Sequence, residues 1–315
     1  MANEVVWLDF EKPVAEVERK LEDARKHHKQ DEVLELETKL DRIKREVYTN
    51  LTPWQRVKLA RHPKRPYTLD YISRMLTDFI EFHGDRGYAD DKAIVAGPAK
   101  LDDIAIMVIA QQKGKDMKEN VRRNFGMMHP EGYRKALRLM RQAEKFSMPV
   151  LCIIDTPGAF PGIGAEERGI SEAIALNLRE MASLKTPIVA VVIGEGGSGG
   201  ALGIGVANIV LMLENAYYSV ISPEGAAAIL WRDAAKAPQA AEALKITAQH
   251  LLNLGVIDEI VPEPLGGAHR DYETTAATLK KFIIKHFLQL SKLPTDQLIE
   301  QRYQKFRKMG KFIEQ

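Results

Sequence analysis

A single cysteine in 315 residues excludes an internal disulfide and any multi-cysteine metal site. That residue, Cys152, lies inside the apolar run PVLCII, where burial raises a thiol's pKa, so it reads as a packed side chain and not as a nucleophile. No apolar stretch reaches the ~18–20 residues of a membrane span, and the acidic N-terminal MANEVVWLDFEKP lacks the apolar centre of a signal peptide. A soluble, cytoplasmic protein is expected. The formal net charge is only +2, which gives the chain as a whole no pull toward nucleic acid or membrane. Eight histidines are scattered without H-E-x-x-H or other ligand spacing, so no metal is expected on this chain. Hydrophobic content of 45% is ample for a core, and the length suits one or two domains.

Glycine, in contrast, is concentrated where it can act. Two segments look like copies of one device: PVLCIIDTPGAFPG at Pro149–Gly162 and PIVAVVIGEGGSGG at Pro187–Gly200. Each is an apolar, β-branched run closed by a glycine-rich loop, which suits a parallel strand buried on both faces. A helical stretch over Ala165–Leu184 separates them, giving a β-loop-α-β-loop-α unit. In such units the loops leave the carboxyl ends of neighbouring strands side by side, where ligands bind. Two glycine loops there can aim several backbone N–H groups at one point, which is an anion-stabilising site.

The rest of the chain frames this unit. Val14, Val17, Leu21 and Ala24, then Leu36, Leu40, Ile43 and Val47, predict an amphipathic helical hairpin turning at His27–Asp31. Such an arm either packs on its own domain or serves an oligomer contact. Leu51–Pro66 is basic and proline-punctuated, a linker or docking segment. A helix is predicted over Thr68–His83, a strand hairpin over Ala93–Ala99 and Ile104–Ala110, and a helix over His129–Phe146. Beyond the second loop come strands at Ile209–Leu213 and Tyr217–Ile221, and an N-cap at Ser222 with proline first in the helix. A helix over Ala240–Leu254, a strand at Val256–Pro264 and a mostly basic helix from Thr278 complete the pattern.

The second loop, GEGGSGG, satisfies three motifs. Gly194, Gly196 and Gly199 spell a dinucleotide fingerprint, with Glu214 about 20 residues on. Gly196, Ser198 and Gly200 spell a nucleophile elbow, for which His250, His269 and Asp258 are available partners. The third reading is an oxyanion hole of glycine amides. Only this last one gives the neighbouring DTPGAFPG loop a purpose, but residue patterns alone leave all three open.

Longer segments carry a resemblance. QKGKDMKENVRRNFGMMHPEGYRKALRLM, DTPGAFPGIGAEERGISEAIALNLREM, VIGEGGSGGALGIGVANIV, YSVISPEGAAAILWRDAAKAP and IVPEPLGGAHRDYE resemble the carboxyltransferase α subunits of bacterial acetyl-CoA carboxylases. The resemblance implies an α/β, crotonase-like spiral of ββα units over residues 51–290, with the helical hairpin arm at 1–50 and a helical tail at 291–315. It implies carboxyl transfer from carboxybiotin, carried on biotin carboxyl carrier protein, to acetyl-CoA, giving malonyl-CoA. A β subunit is implied in an α2β2 assembly, bringing a zinc ribbon of its own, while ATP falls to a biotin carboxylase partner; no phosphate loop is found here.

The implied oxyanion hole is assigned to backbone N–H groups of Gly158, Ala159, Gly196 and Gly197, with Phe160, Ser198, Gly199 and Gly200 on the carboxybiotin side. Close backbone approach and positive φ are the reasons for glycine there. The basic run Lys113, Lys115, Lys118, Arg122 and Arg123 either meets CoA phosphates or forms a solvated face. Glu166, Glu167 and Arg168 are expected to make capping and ion-pair contacts.

Overall fold

The computed structural model describes residues 6–310; the outermost five residues of the arm and of the tail lie outside the described residues. Helical spacing of apolar residues produces the expected hairpin, α1 (Lys12–Lys26) and α2 (Gln30–Thr49). Helix α1 buries Val14, Val17, Leu21 and Ala24, whereas α2 buries only Tyr48. The base of the arm joins a small core with Leu51 and Leu59. Leu59 belongs to α3 (Pro53–Ala60), opened by a Thr52 cap that accepts from Gln55 N at 3.2 Å. The proline-punctuated segment is therefore a docking element. Arg65, at its end, is buried against Glu263 at 2.6 Å.

Helix α4 spans Thr68–Met75, shorter than predicted. From Leu76 the chain runs extended along the outer edge of β1 (Ile94–Leu101), where Ile80 N donates to Pro98 O at 3.1 Å and Phe82 N to Ala96 O at 2.8 Å. Leu76, Phe79 and Ile80 match helical spacing, but covering an open strand edge with backbone partners outweighs that local preference. Gly97 makes the approach possible, since a Cβ there would fall on the Ile80 carbonyl.

β1 pairs antiparallel with β2 (Ile104–Gln111) as the predicted hairpin, and the parallel strands follow. After α5 (Met117–Arg122) and α6 (Pro130–Lys145) comes β3 (Val150–Thr156). The next helix is in two pieces, α7 (Ile163–Glu167) and α8 (Ile170–Ser183), because Gly169 at φ +76° breaks it. β4 (Ile188–Gly197) leads into α9 (Ser198–Leu202), then β5 (Ile209–Leu213) and β6 (Tyr217–Ser219). Helix α10 (Pro223–Trp231) starts at the predicted Ser222 cap. The helix expected over Ala240–Leu254 is split into α11 (Ala237–Leu244) and α12 (Ala248–Asn253) by Lys245 at φ +54°. β7 (Glu259–Val261), α13 (Tyr272–Leu290) and α14 (Thr295–Arg307) complete the described chain.

The sheet order is β1-β2-β3-β4-β5-β7, with β6 pairing β4 beyond the end of β5. All residues of β3 and β4 are buried, as continuous apolar runs require of central parallel strands. The C-terminal helix is anchored by Arg302, which is fully buried and donates to the carbonyls of Met181, Leu184 and Thr186 at 2.6–2.9 Å and to Asn208 Oδ1 at 2.7 Å. Its guanidinium neutralises carbonyls at the end of α8, where a cation is favoured. Burial lowers its pKa to about 10.

Candidate active site at the strand ends

Three neighbouring strands deliver one charge each to the same edge of the sheet. Lys113 follows β2, Asp155 is near the end of β3, and Glu195 lies in β4. Lys113 Nζ donates to Asp155 Oδ1 at 2.7 Å and to Glu195 Oε2 at 2.6 Å. Arg61, just past α3, reaches Glu195 Oε1 at 2.7 Å and Glu224 Oε1 at 2.5 Å, and the Tyr217 hydroxyl donates to Glu195 Oε1 at 2.6 Å. Burial alone would raise the Glu195 carboxyl, but Lys113 and Arg61 hold it down at about 2. Burial likewise opposes the Lys113 ammonium, yet Asp155 and Glu195 together push its pKa up. The expectation for Lys113 is corrected on this point. It is a buried member of an ion network and not on a solvated face. The basic run is divided as well: Lys115 pairs with Asp70 at 2.6 Å, Arg123 folds back on Glu119 at 2.9 Å, and Arg122 is exposed.

Beside this network the two glycine loops meet backbone to backbone. A Cβ on Gly197 would fall on the Pro157 carbonyl, and one on Gly200 would lie 2.6 Å from Ala159 N and nearer still to Gly158. Close approach is therefore the reason for glycine at both positions. The positive φ of the second loop belongs instead to Ser198, at +51°. Gly196 and Gly197 continue the β4 ladder opposite Tyr218 and Ser219 of β6.

The loop amides differ in their acceptors. Gly158 N donates to Thr156 Oγ1 at 3.2 Å, and Phe160 N to Met128 O at 3.1 Å. Ala159 N has no acceptor among the described residues, and Gly199 and Gly200 stand in the first turn of α9, whose amides have no intrahelical partner and no side-chain cap. Gly199 O accepts from Gly203 N at 2.9 Å, so the planar Gly199–Gly200 peptide aims Gly200 N–H the opposite way, out of the turn. The ring of Phe160 packs on His129 with centroids 4.0 Å apart. Arg168 makes the expected ion pair, with Glu131 at 3.0 Å.

An apolar cavity of about 430 Å³ opens next to Ser198 and Gly199, walled by Tyr218, Leu244, Ile246 and Phe306. A smaller one of about 180 Å³ lies at Pro157, Tyr67 and Phe125, against the charged Lys113 and Glu195. Phe125 at the smaller opening and Val220 at the larger are exposed, as are Met117, Val121 and Ile163 and the α10 residues Ile229, Leu230 and Trp231. Phe306, in the tail, and Leu244 carry no sequence signal of a site. Asp155 and Glu195 carried a usable signal, a charge ending an otherwise apolar run.

The other readings of the second loop do not hold. Ser198 does occupy an elbow-like turn, but His250 contacts Thr247 Oγ1 at 2.9 Å, Asp258 pairs with Lys305, and His269 stacks on His62 at 3.9 Å. None of them serves Ser198. Gly194 and Gly196 lie within β4, so no phosphate loop forms, and Glu214 accepts from Glu263 N at 3.2 Å.

The His62–His269 stack sits where the arm docks, facing the buried Glu11 and Arg65 and the partly buried Arg270. His62 uses both ring nitrogens, at 3.1 Å each from Val6 O and Lys64 N, and Arg270 lies 3.6 Å from Glu11. A metal ion there would displace a backbone contact and face a guanidinium. Burial, then His62 and Arg270, lowers the His269 pKa to about 2. The folded state thus refuses a proton that the unfolded chain accepts, so this stabilisation is present above pH ~6.5 and lost as pH falls below it. Urea unfolding at pH 5 and 7 should show about 2 kcal/mol of acid destabilisation that His269→Phe removes. Equal pH dependence in both proteins would discount His269.

Comparison with known proteins gives the lineage. Residues 7–310 match the family described as acetyl co-enzyme A carboxylase carboxyltransferase-like. The acetyl-coenzyme A carboxylase carboxyl transferase subunit alpha of Geobacillus sp. strain WCH70 is 58% identical over 98% of this chain and 97% of its own length. That of Staphylococcus epidermidis strain ATCC 12228 is 57% identical over 98% of this chain and 100% of its own. Among solved structures, transcarboxylase 12S with methylmalonyl-coenzyme A bound matches 70% of this chain at 20% identity and a TM-score of 0.55; this chain spans only 42% of its length. The Pseudomonas malonate decarboxylase MdcD-MdcE hetero-dimer matches 68% of this chain and 88% of its own at 18% identity, with a TM-score of 0.56. These structures share the crotonase-like fold expected above. With residues 7–310 matching the family and more than half of the positions identical to its members over nearly the whole length, the chain belongs to the family of acetyl-coenzyme A carboxylase carboxyltransferase α subunits.

Proposed function

We propose that this chain is the α half of a carboxyltransferase that moves a carboxyl group from carboxybiotin to acetyl-CoA, giving malonyl-CoA for fatty acid synthesis. The observation that carries this reading is the pair of apposed glycine loops, with Ala159 N lacking an acceptor among the described residues and Gly199 and Gly200 in the uncapped first turn of α9. Bound carboxybiotin would supply the carboxyl group and, once free of it, a base. The loop amides stabilise the negative charge that develops on the ureido oxygen, each donor contributing about 10²–10³ in rate. No side-chain nucleophile is needed. The donors assigned here are Ala159, Gly199 and Gly200. Gly158 is held by Thr156, and Gly196 and Gly197 serve chiefly to let the strands and loops close up. The apolar cavity next to Ser198 suits the hydrocarbon part of the biotin group, with Phe160 on the opposite loop.

The apolar side chains exposed around the openings support a site completed by a partner. We assign that role to a β subunit in an α2β2 assembly, carrying zinc of its own, with biotin carboxyl carrier protein docking between them and biotin carboxylase using the ATP. No described helix is long and apolar enough to cross a membrane, and a cytoplasmic location accords with the activity. Lys115, Arg122 and Arg123 remain candidates for the CoA phosphates.

The test is malonyl-CoA decarboxylation with free biotin, run with this chain alone and then with a β subunit. Activity is expected only in the mixture, and Ser198→Ala should retain it within about tenfold, because a Ser198 without a histidine partner is not activated. Loss of all activity in Ser198→Ala, or labelling of Ser198 by a fluorophosphonate, would overturn the reading.

A further inference from the structure

Gln111 ends β2 and is fully buried. Its side chain is spent on two backbone groups. Nε2 donates to Gly200 O at 2.7 Å, and Oε1 accepts from Asp155 N at 3.1 Å. The Gly200 carbonyl depends on that donor because α9 stops too soon to supply one: Ile204 N turns to Ala201 O at 3.3 Å. The Tyr133 hydroxyl adds only a longer contact at 3.5 Å. Thr68 Oγ1 donates to the Gln111 carbonyl at 2.5 Å, fixing the residue that does the bridging.

One amide therefore spans from the strand that feeds the first glycine loop to the end of the second. Lys113 and the Glu195 N–H tie Asp155 to Glu195 at the level of the strands. Gln111 reaches one step further, to the loop itself. Asparagine is one methylene too short for both partners, and an apolar residue leaves two buried backbone groups unsatisfied.

We propose that Gln111 is a positioning residue that sets the separation between the Ala159 and Gly200 amides, and so the fit of the oxyanion. The proposal rests on the function given in the preceding subsection. In the α–β complex, Gln111→Leu should lower kcat on the order of 30-fold or more, with the KM for malonyl-CoA within about twofold of wild type. Gln111→Glu supplies a sharper readout. Its ionised carboxylate repels the Gly200 carbonyl, whereas the protonated acid can donate to Gly200 and accept from Asp155. Its activity relative to wild type should rise about tenfold as pH falls, tracing one new ionisation.

A Gln111→Leu complex with wild-type kcat per folded protein, or a Gln111→Glu pH profile parallel to wild type, would overturn the proposal. If Gln111→Leu does not fold, the Gln111→Glu profile decides. If the wild-type mixture itself is inactive, the functional reading fails separately. Hydrogen exchange then tests the clamp: peptides covering 156–162 and 198–203 should exchange at least about fivefold faster in Gln111→Glu at high pH than at low pH, after correction for intrinsic exchange. Equal corrected rates would overturn it.

Discussion

Gly200→Ala is expected to reduce carboxyl transfer by about 10²-fold or more while the α–β complex still forms. The added methyl would lie 2.6 Å from Ala159 N and closer to the Gly158 carbonyl. Both neighbours are backbone, so no side chain can swing aside and the loops must part. Parting them moves the Ala159 and Gly200 amides off a common target, and hydrogen-bond catalysis falls steeply with misplacement. Overpacking of this kind also costs about 1–3 kcal/mol of stability, so kcat must be read on protein shown to be folded. Gly158→Ala is the comparison. A Cβ there meets nothing within 4 Å, and its amide is already held by Thr156 Oγ1. Its melting temperature should match wild type, and any loss of activity would report a ligand in that open space. Wild-type kcat for Gly200→Ala would mean that the loop contact is structural only.

The contrast between these glycines explains how far the sequence could be read. Strands β3 and β4 and their loops were evident because buried parallel strands need uninterrupted apolar runs, a constraint visible residue by residue. Which amides remain free was not, since that depends on acceptors supplied from elsewhere: Thr156 Oγ1 for Gly158 and Met128 O for Phe160. Glycine content marked the right loops without separating Gly200, excluded from any side chain by contact, from Gly158, which is not. The helix boundaries failed for a similar reason. Leu76–Phe82 has helical spacing, but an open edge of β1 recruits its backbone. The breaks at Gly169 and Lys245 are left-handed residues inside otherwise helical patterns, and a lysine gives no warning of one. The tail gave no signal beyond its charge, though Arg302 is as buried as any core residue.

Lys113 was the residue that local pattern placed furthest from its role, and its substitution should have the second large effect. In the sequence it opens the basic run that continues through Lys115 and Lys118, and reads with them. In the fold it is the only one of the three whose ammonium lies between two buried carboxylates. Lys113→Met preserves much of the volume and removes the charge. Asp155 then loses its ion partner, while Glu195 retains Arg61 and the Tyr217 hydroxyl. Removing one side of a buried ion network typically costs about 3–5 kcal/mol. The retained Arg61 contact places the expectation at the lower end, about 3 kcal/mol, measured as a shift in the urea midpoint. Because Asp155 stands at the start of the first glycine loop and Glu195 near the start of the second, kcat of the folded fraction should fall as well, with the KM for the CoA ester unchanged. Adding Asp155→Asn to Lys113→Met should recover part of the stability, since it deletes the charge left unpaired. If instead Lys113→Met keeps its stability and raises KM alone, the ammonium serves the ligand directly and the buried network is not what holds the two loops in register.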